Sequence, residues 1–280
     1  MKLKKYRLDK WLLITAGLGS QEFEASAMRV ANSAKFFKII NNVVALDTEA
    51  TVKLCREVAN TYPSEFSSKT RGFGFMAWKA EVVHKALHGE YGDYDGVIWV
   101  DGGCEIFPSS WTENKLIRIL QTAEKTGLYA FTLQTPEFQY TKKFLLDKYK
   151  EVDDVYHSVQ IQTTWFALHG TLGREIASKW LDRTLEDFRN LDVSESPGGE
   201  NPGFIENRYD QSIFSLVCKK MNCSPSANFN VSGTYGALSQ LRAYRYPIWA
   251  SRNRTGTSII PGIIFKIGVF SLRLKRLFVQ

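Results

Sequence analysis

One stretch, from Gly72 to Glu105, constrains the fold of this chain more than any other: GFGFMAWKAEVVHKALHGEYGDYDGVIWVDGGCE. Its pattern predicts a glycine-marked loop, an amphipathic helix, a turn and a short buried strand over Gly96–Val100. The strand stops at Asp101, and Gly102 and Gly103 follow it directly. Ligands of open α/β sheets bind at the carboxyl ends of the strands, and glycines there let a ligand approach the backbone. A carboxylate at this point is suited to a phosphate held through a metal ion.

The N-terminal part of the chain predicts the sheet to which this strand belongs. An apolar run over residues 11–16 predicts a first strand, and apolar residues at helical spacing follow over 22–37. A second strand over 43–47 and a helix over 48–60 repeat the order. Strand and helix in alternation are typical of a Rossmann-like α/β layer. The loop at Gly17–Gly19 lacks the complete dinucleotide fingerprint, so a nicotinamide site is poorly supported.

Later segments extend the same pattern. Further strands are expected over residues 128–132 and 159–168, and the glycine- and proline-rich stretch 194–203 predicts a loop that is a candidate mobile lid. We therefore expect an α/β fold with one domain over residues 1–245, in which a mixed sheet is flanked by helices. A basic amphipathic segment over 246–280 is expected to follow it.

The charge of the chain favours a polyanionic partner. The formal net charge is +7 and the pI is about 9.1, which suits a nucleotide phosphate, a lipid head group or a nucleic acid. Part of the excess lies in clusters at the two ends, and solvated termini explain those clusters equally well. The four cysteines have no metal-ligand spacing, so free thiols in a reducing compartment are expected. With neither a signal peptide nor an apolar run of spanning length in the sequence, we expect a cytoplasmic protein.

The C-terminal segment carries a membrane signal. Apolar residues recur in steps of four and three, and basic residues fall on another side of the same helix. The apolar positions are Ile263, Ile267, Phe270, Leu274 and Leu277, and the basic ones are Lys266, Arg273 and Arg276. This pattern is typical of an interfacial helix on an anionic membrane surface, which would place the protein peripherally on the inner face of the membrane. A helix packed on the body of the protein explains it equally well.

Three segments together carry a resemblance to a known family. They are TAGLGSQEFEASAMRVANSAKFF (15–37), GFGFMAWKAEVVHKAL with VIWVDGGCEIF (72–107), and QIQTTWFALHG with ENRYDQSIFSL (160–216). Their motifs, order and spacing resemble bacterial glycosyltransferases of the GT-A fold, of the capsule and O-antigen sugar type. The resemblance implies a GT-A mixed sheet. It also implies transfer of a sugar from a nucleoside-diphosphate sugar to a glycan or lipid-linked acceptor in surface polysaccharide synthesis.

The resemblance assigns the donor and its metal to the end of the central strand. Asp101 would bind Mn²⁺ or Mg²⁺ together with the donor diphosphate, since hard divalent cations prefer oxygen ligands. Gly103 stands where the family's metal motif has a second aspartate, so the motif is incomplete in this chain. Either Glu105 substitutes for it, or Asp101 is the only carboxylate there. The structural alternative for Asp101 is a turn aspartate at a strand end.

The catalytic residues implied by the resemblance lie near the start of a later helix. Asp210 would lie by the donor sugar, where an inverting enzyme uses a carboxylate to take the acceptor proton and a retaining one uses it to stabilise the sugar cation. Glu206 is the second candidate for the base, and Gln211 is assigned to the donor. Tyr209 stands where relatives have histidine. The alternatives are a helix cap for Asp210 and a solvated loop charge for Glu206.

Other positions are assigned to donor binding. Lys79 and Arg71 are candidates to meet the diphosphate, because its charge grows as the anomeric bond breaks. Gly72 begins their loop, Thr15 ends the first strand, and Gln162 is expected to face the sugar. Ordinary surface charges, or a buried amide bonded to backbone, are the alternatives.

Two other functions compete with sugar transfer. A nucleotidyltransferase would carry a basic, glycine-rich signature after the first strand, and residues 17–21 contain no Arg or Lys. A non-enzymatic basic module for nucleic acid or membrane would leave Asp101 and Asp210 without a role, and nucleic acid is the less favoured partner. The glycosyltransferase interpretation requires Asp101 and Asp210 to converge on one pocket.

Overall fold

A buried first strand and a buried third strand organise the sheet. The computed structural model describes residues 9–223, 246–251 and 266–271. Both strands have every residue buried, because helices cover the two faces of the sheet. The first part of the chain contains β1 (Trp11–Ala16), α1 (Gln21–Ala34), β2 (Asn42–Leu46), α2 (Thr48–Leu54), α3 (Arg56–Thr61), α4 (Gly72–Phe75), α5 (Ala77–Leu87) and β3 (Gly96–Val100).

The remaining elements complete the sheet and add two short antiparallel strand pairs. They are β4 (Glu105–Ile106), α6 (Ser110–Thr126), β5 (Leu128–Tyr129), β6 (Thr132–Pro136), α7 (Glu137–Tyr140), α8 (Lys143–Asp147), β7 (Val159–Ile161), β8 (Trp165–His169), α9 (Gly170–Glu186), a 3₁₀ turn (Phe188–Asn190), α10 (Asp210–Lys220) and β9 (Ile248–Trp249). A short helix over residues 266–271, here α11, is the last described element.

The central sheet has the strand order β2-β1-β3-β8-β5. The strands β2, β1 and β3 are parallel, whereas β8 runs antiparallel to both β3 and β5. In addition, β4 pairs with β9 and β6 pairs with β7. The mixed sheet flanked by helices that was expected from the sequence is thereby confirmed.

Local signals position the helices around this sheet. The Ser20 side chain accepts a hydrogen bond from the Phe23 backbone at the start of α1, and Ser109 forms a capping box at the start of α6. Apolar residues of α1 and α6 pack on one face of the sheet, while α5, α9 and α10 cover the other. A Cβ added at Gly96 would lie 2.5 Å from the Trp11 ring, so the pairing of β1 with β3 requires glycine there.

Several element boundaries differ from the sequence predictions. The strand expected over 128–132 is divided into β5 and β6, and the one expected over 159–168 is divided into β7 and β8. Polar residues 162–164 separate β7 from β8, because they turn into the site described below. Residues 248–249 pair with β4, and the domain boundary at residue 245 stays a prediction.

The predicted C-terminal helix is described only over residues 266–271, where it is helical. Ile263, Arg273, Leu274, Arg276 and Leu277 lie outside the described residues. Among the described helices, none is long and apolar enough to cross a bilayer.

Candidate functional site

Three charged side chains from distant parts of the chain meet at the carboxyl end of β3. The Lys79 Nζ lies 3.0 Å from the Asp101 Oδ1 and 3.1 Å from the Asp210 Oδ2. We call Lys79, Asp101 and Asp210 the charged triad. The two aspartates that the sequence interpretation brings together are therefore close in space, and Lys79 is the group that joins them. That they share one ligand pocket stays a prediction.

Asp101 is the member of the triad that reaches solvent. Its side chain is 34% exposed, whereas those of Lys79 and Asp210 are 2% and 4% exposed. The Asp101 backbone N–H donates to the Thr164 carbonyl at 2.8 Å, and the Trp99 Nε1 donates to its Oδ1 at 2.8 Å. The Trp99 bond and the Lys79 contact fix the direction of the carboxylate, and Asp101 is the triad residue most exposed to solvent.

A left-handed turn of the backbone precedes α5, the helix that carries Lys79. The run Gly72–Met76 has positive φ throughout, between 50° and 87°, and includes Phe73, Phe75 and Met76. The left-handed conformation costs a non-glycine residue about 1–2 kcal/mol. The Trp78 Nε1 donates to the Gly72 carbonyl at 3.0 Å and closes the turn. Strained segments of this kind persist only where surrounding contacts hold them, and they are common at functional sites.

Asp210 begins α10 and is almost fully enclosed. Its Oδ2 accepts from the Thr163 Oγ1 at 3.1 Å, and its carbonyl accepts from the Trp180 Nε1 at 3.1 Å. Tyr209 precedes it with φ 52° and ψ −124°, a second unusual backbone conformation. The Tyr209 ring lies 5.0 Å from the Phe75 ring, so the segment before α10 packs on the turn before α5.

Burial and charge act in opposite directions within the triad. Burial disfavours the charge of Lys79, but the carboxylates of Asp101 and Asp210 outweigh it and raise the Lys79 pKa above its ordinary value. Burial is also the main reason that the pKa of Asp210 is raised; Lys79 opposes this effect and the charge of Asp101 adds to it. The site thus contains a lysine that stays protonated and a carboxyl group more basic than an ordinary aspartate.

Amide and hydroxyl side chains link the segment around β7 to the start of α10, beside the charged triad. The Gln211 Oε1 accepts from the Thr163 backbone at 3.2 Å, and its Nε2 donates to the Gln160 Oε1 at 2.6 Å. The Gln162 Nε2 donates to the Thr164 Oγ1 at 2.7 Å. Gln162 and Gln211 therefore lie beside the triad, where both hold backbone and neighbouring side chains in place.

Arg29, which the sequence analysis did not single out, supports the loop after Asp101. Its Nη2 donates to the carbonyls of Gly102 and Cys104, each at 3.2 Å. A Cβ at Gly102 would lie 3.2 Å from the Ala27 backbone N, so α1 packs directly on this loop. The sequence offered only a weak signal for this role, a single arginine next to the apolar positions of the first helix. The Ser251 Oγ donates to the Gly103 carbonyl at 3.2 Å from the other side.

The remaining predicted site residues, Arg71, Glu206 and Thr15, lie outside the charged triad. Arg71 is exposed, and its guanidinium carbon lies 5.2 Å from the centre of the Tyr209 ring. Glu206 is exposed, and its charge acts on Tyr209, so Arg71 and Glu206 both lie near the residue that precedes Asp210. Thr15 is fully buried, and strand alternation places it on the sheet face opposite Trp99 and Asp101. Its Oγ1 has no hydrogen-bond partner among the described residues.

The donor set does not fit a divalent metal shared by the two aspartates. The Lys79 ammonium occupies the position between their nearest oxygens, where a shared ion would lie. No group of three or more His, Cys, Asp or Glu side chains with metal-site geometry occurs in the described part of the chain. Glu105, the candidate substitute, is buried in β4, and its charge acts on Arg29.

Comparisons with known proteins give likenesses in structure only. No protein-family model matches the chain, and no curated protein matches it. Among solved structures, mouse xyloside xylosyltransferase 1 (apo form) is 11% identical with a TM-score of 0.45, covering 89% of this chain and 100% of its own. A glycosyltransferase involved in glycosylation of the major capsid of PBCV-1 is 11% identical with a TM-score of 0.47, covering 85% and 92%.

A third solved structure is longer than this chain. The apo structure of the bifunctional glycosyltransferase WbbM is 11% identical with a TM-score of 0.48; the match covers 94% of this chain and 52% of that one. This chain therefore spans about half of the WbbM structure. At 11% identity and TM-scores below 0.5, these likenesses assign no chemistry to the site, which has to be argued from the residues of this chain.

Proposed function

We propose that this chain is a glycosyltransferase that uses a nucleoside-diphosphate sugar as its donor. Its acceptor would be a glycan or a lipid-linked sugar in surface polysaccharide synthesis, reached at the inner face of the membrane. The observation that carries the proposal is the meeting of Asp101 and Asp210 on the Lys79 ammonium, at 3.0 and 3.1 Å. A module that binds polyanions by charge alone has no use for two aspartates placed in this way.

Within this proposal the two aspartates have different roles. Asp101 is proposed as the ligand-facing carboxylate, since its side chain reaches solvent beside the partly exposed Gly102 and Gly103. Asp210 is enclosed and bonded to Lys79 and Thr163, so in this conformation it orients the lysine. Its raised pKa suits a general base once an acceptor hydroxyl reaches it past Tyr209. Glu206, exposed beside Tyr209, is the second candidate for the base.

The positive charge for the leaving diphosphate is proposed to come from the chain. Lys79 lies against Asp101 and stays protonated, and Arg71 is exposed beside Tyr209. Charge that is fixed before the reaction stabilises a leaving group without the cost of reorganisation. Mn²⁺ or Mg²⁺ was expected at Asp101; an ion shared with Asp210 does not fit, because Lys79 lies between the two carboxylates, and no step is assigned to a metal.

A panel of nucleotide sugars tests this proposal directly. Thermal shift and slow donor hydrolysis should identify one donor for the wild-type protein, and Asp101→Asn should lose both responses. Asp93→Asn is the matched control, because it makes the same chemical change at an exposed loop position. If no nucleotide sugar shifts the melting temperature or is hydrolysed, or if Asp101→Asn behaves like Asp93→Asn, the proposal fails.

The same panel shows whether the positive charge at the leaving diphosphate comes from side chains of the protein or from a metal ion. With charge supplied by Lys79 and Arg71, a chelator should change donor hydrolysis by less than about twofold, because no ion is needed at the leaving group. Added Mn²⁺ should likewise have little effect. Loss of hydrolysis with the chelator and its recovery with Mn²⁺ would instead assign the charge to a metal at Asp101.

A further inference from the structure

We propose that the start of α6 and the helix α11 form one surface that docks on an anionic membrane. The surface consists of Trp111, Ile267 and Phe270, with Lys115, Arg118 and Lys266 around them, and we call it the docking surface. It gives a specific location to the membrane contact that the proposed function uses for its acceptor. Its physical basis is independent of the sugar chemistry.

The apolar part of the docking surface faces solvent. Ile267 is 64% exposed, Phe270 is 62% exposed and Trp111 is 53% exposed. An exposed isoleucine and phenylalanine on one short helix, with a tryptophan close by, are unusual unless another phase or molecule covers them. Tryptophan and phenylalanine also suit the boundary between head groups and acyl chains.

The opposite side of α11 is fixed to the body of the protein. The Ser271 Oγ lies 2.8 Å from the Oγ of Ser110, which is the first residue of α6. A Cβ added at Gly268 would lie 2.2 Å from the Pro108 carbonyl oxygen, so α11 rests directly on the backbone that precedes α6. This contact explains why Ile267 and Phe270 face outward: the glycine and serine face of the helix is the face that packs.

The charge of the docking surface favours anionic lipid. Arg118 and Lys266 are exposed, and the Lys115 Nζ lies 5.5 Å from the centre of the Trp111 ring. A groove of about 390 Å³ beside Trp111 has Lys115 and Arg118 among its lining residues, which gives head-group phosphates two basic neighbours. The acidic residue in this part of α6, Glu113, is buried and accepts from the Lys38 backbone.

The topology places the docking surface at the same edge of the sheet as the charged triad. Both β3 and β5 run antiparallel to β8, so they are parallel to each other, and α6 connects them. The N-terminus of α6 therefore lies at the carboxyl edge of β3, where Asp101 is. A membrane beneath the docking surface would present a lipid-linked acceptor to the same edge as the donor. In the sequence, Arg273, Lys275 and Arg276 follow α11, outside the described residues.

Vesicle sedimentation of the full chain tests the inference. Wild-type protein should sediment with vesicles that contain phosphatidylglycerol and far less with phosphatidylcholine alone, and high salt should reduce binding. The double variant Ile267→Asp/Phe270→Asp should bind at least about tenfold more weakly, because two apolar side chains no longer enter the interface. Val193→Asp is the control, since Val193 is 67% exposed in a loop outside the docking surface, and it should bind like wild type.

Two further measurements keep the outcomes distinct. The nucleotide-sugar thermal shift should be the same in the double variant as in wild type, so that loss of vesicle binding with intact donor binding concerns the docking surface alone. Equal vesicle binding by wild type and the double variant would overturn the inference. So would a wild-type dimer in light scattering that the double variant converts to a monomer, because the surface would then be covered by a second copy.

Discussion

Lys79 is the residue on which the geometry of the site depends. A buried ammonium with two carboxylates is stable only while its partners remain, and the removal of one member leaves an uncompensated charge in a low-dielectric place. The sequence assigned Lys79 to the donor phosphates. Its side chain is 2% exposed and already bonded to Asp101 and Asp210, so in this conformation its charge acts on a donor diphosphate only from behind Asp101.

Removal of the lysine charge should therefore destabilise the fold. Lys79→Met is expected to lower the free energy of unfolding by about 3–5 kcal/mol, the usual cost of breaking a buried pair. The double variant Lys79→Met/Asp210→Asn should recover part of the loss, because the buried carboxylate is gone. Urea denaturation measures both. Lys53→Met, at an exposed position of α2, is the matched control and should stay close to wild type.

The pH dependence of stability should report Asp210. Burial raises its pKa in the folded state, so the folded protein binds this proton more tightly than the unfolded chain does. The contribution to stability is fully present below the unfolded pKa of about 4 and is lost as pH rises through the folded pKa. Between acid and neutral pH, wild type should lose stability relative to Asp210→Asn. A parallel course of the two unfolding curves would contradict the assignment.

At the scale of elements, α1 acts on the site through the loop after β3. Arg29 bonds the carbonyls of Gly102 and Cys104, and that loop determines how Asp101 and its glycines meet a ligand. Arg29 is a positioning residue, since it donates to the backbone carbonyls of that loop.

Arg29→Met should weaken donor binding by about five- to tenfold, the value of one or two hydrogen bonds that hold the loop. The effect should appear mainly in the donor dissociation constant, measured by calorimetry. Far-UV circular dichroism should be unchanged, because α1 and β3 keep their apolar packing. Arg56→Met, at an exposed position of α3, supplies the comparison. A variant that binds donor as wild type does would remove Arg29 from the site.

Elements with strong local signals could be predicted from the sequence. The buried runs of β1 and β3, the aspartate at the end of β3 and the helix over residues 210–220 follow from the pattern of apolar residues. The helix cap considered for Asp210 is absent, because its carboxylate contacts Lys79 and Thr163 instead. The division of β7 from β8 could not, because the polar residues 162–164 turn toward partners on α10. Pairing between distant segments has no local pattern, and this also explains why the bridge through Lys79 and the clamp from Arg29 were missed.

At the scale of the whole molecule, the parallel half of the sheet brings the important features to one edge. Asp101 follows β3, the first turn of α5 supplies Lys79, and the first turn of α10 supplies Asp210. The start of α6 lies at the same edge and leads to the docking surface. The proposed donor site and the proposed membrane contact on one edge are the arrangement that transfer to a lipid-linked acceptor would require.

The central claim is that the charged triad is the donor site of a sugar transferase. Calorimetric titration of the donor identified by the panel into wild type, Asp101→Asn, Asp210→Asn and Asp93→Asn measures it most directly. The account predicts that both triad variants bind at least about tenfold more weakly, since one loses the ligand-facing carboxylate and the other loses the group that orients Lys79. Asp93→Asn should match wild type. Equal affinity in all four folded proteins would contradict the account.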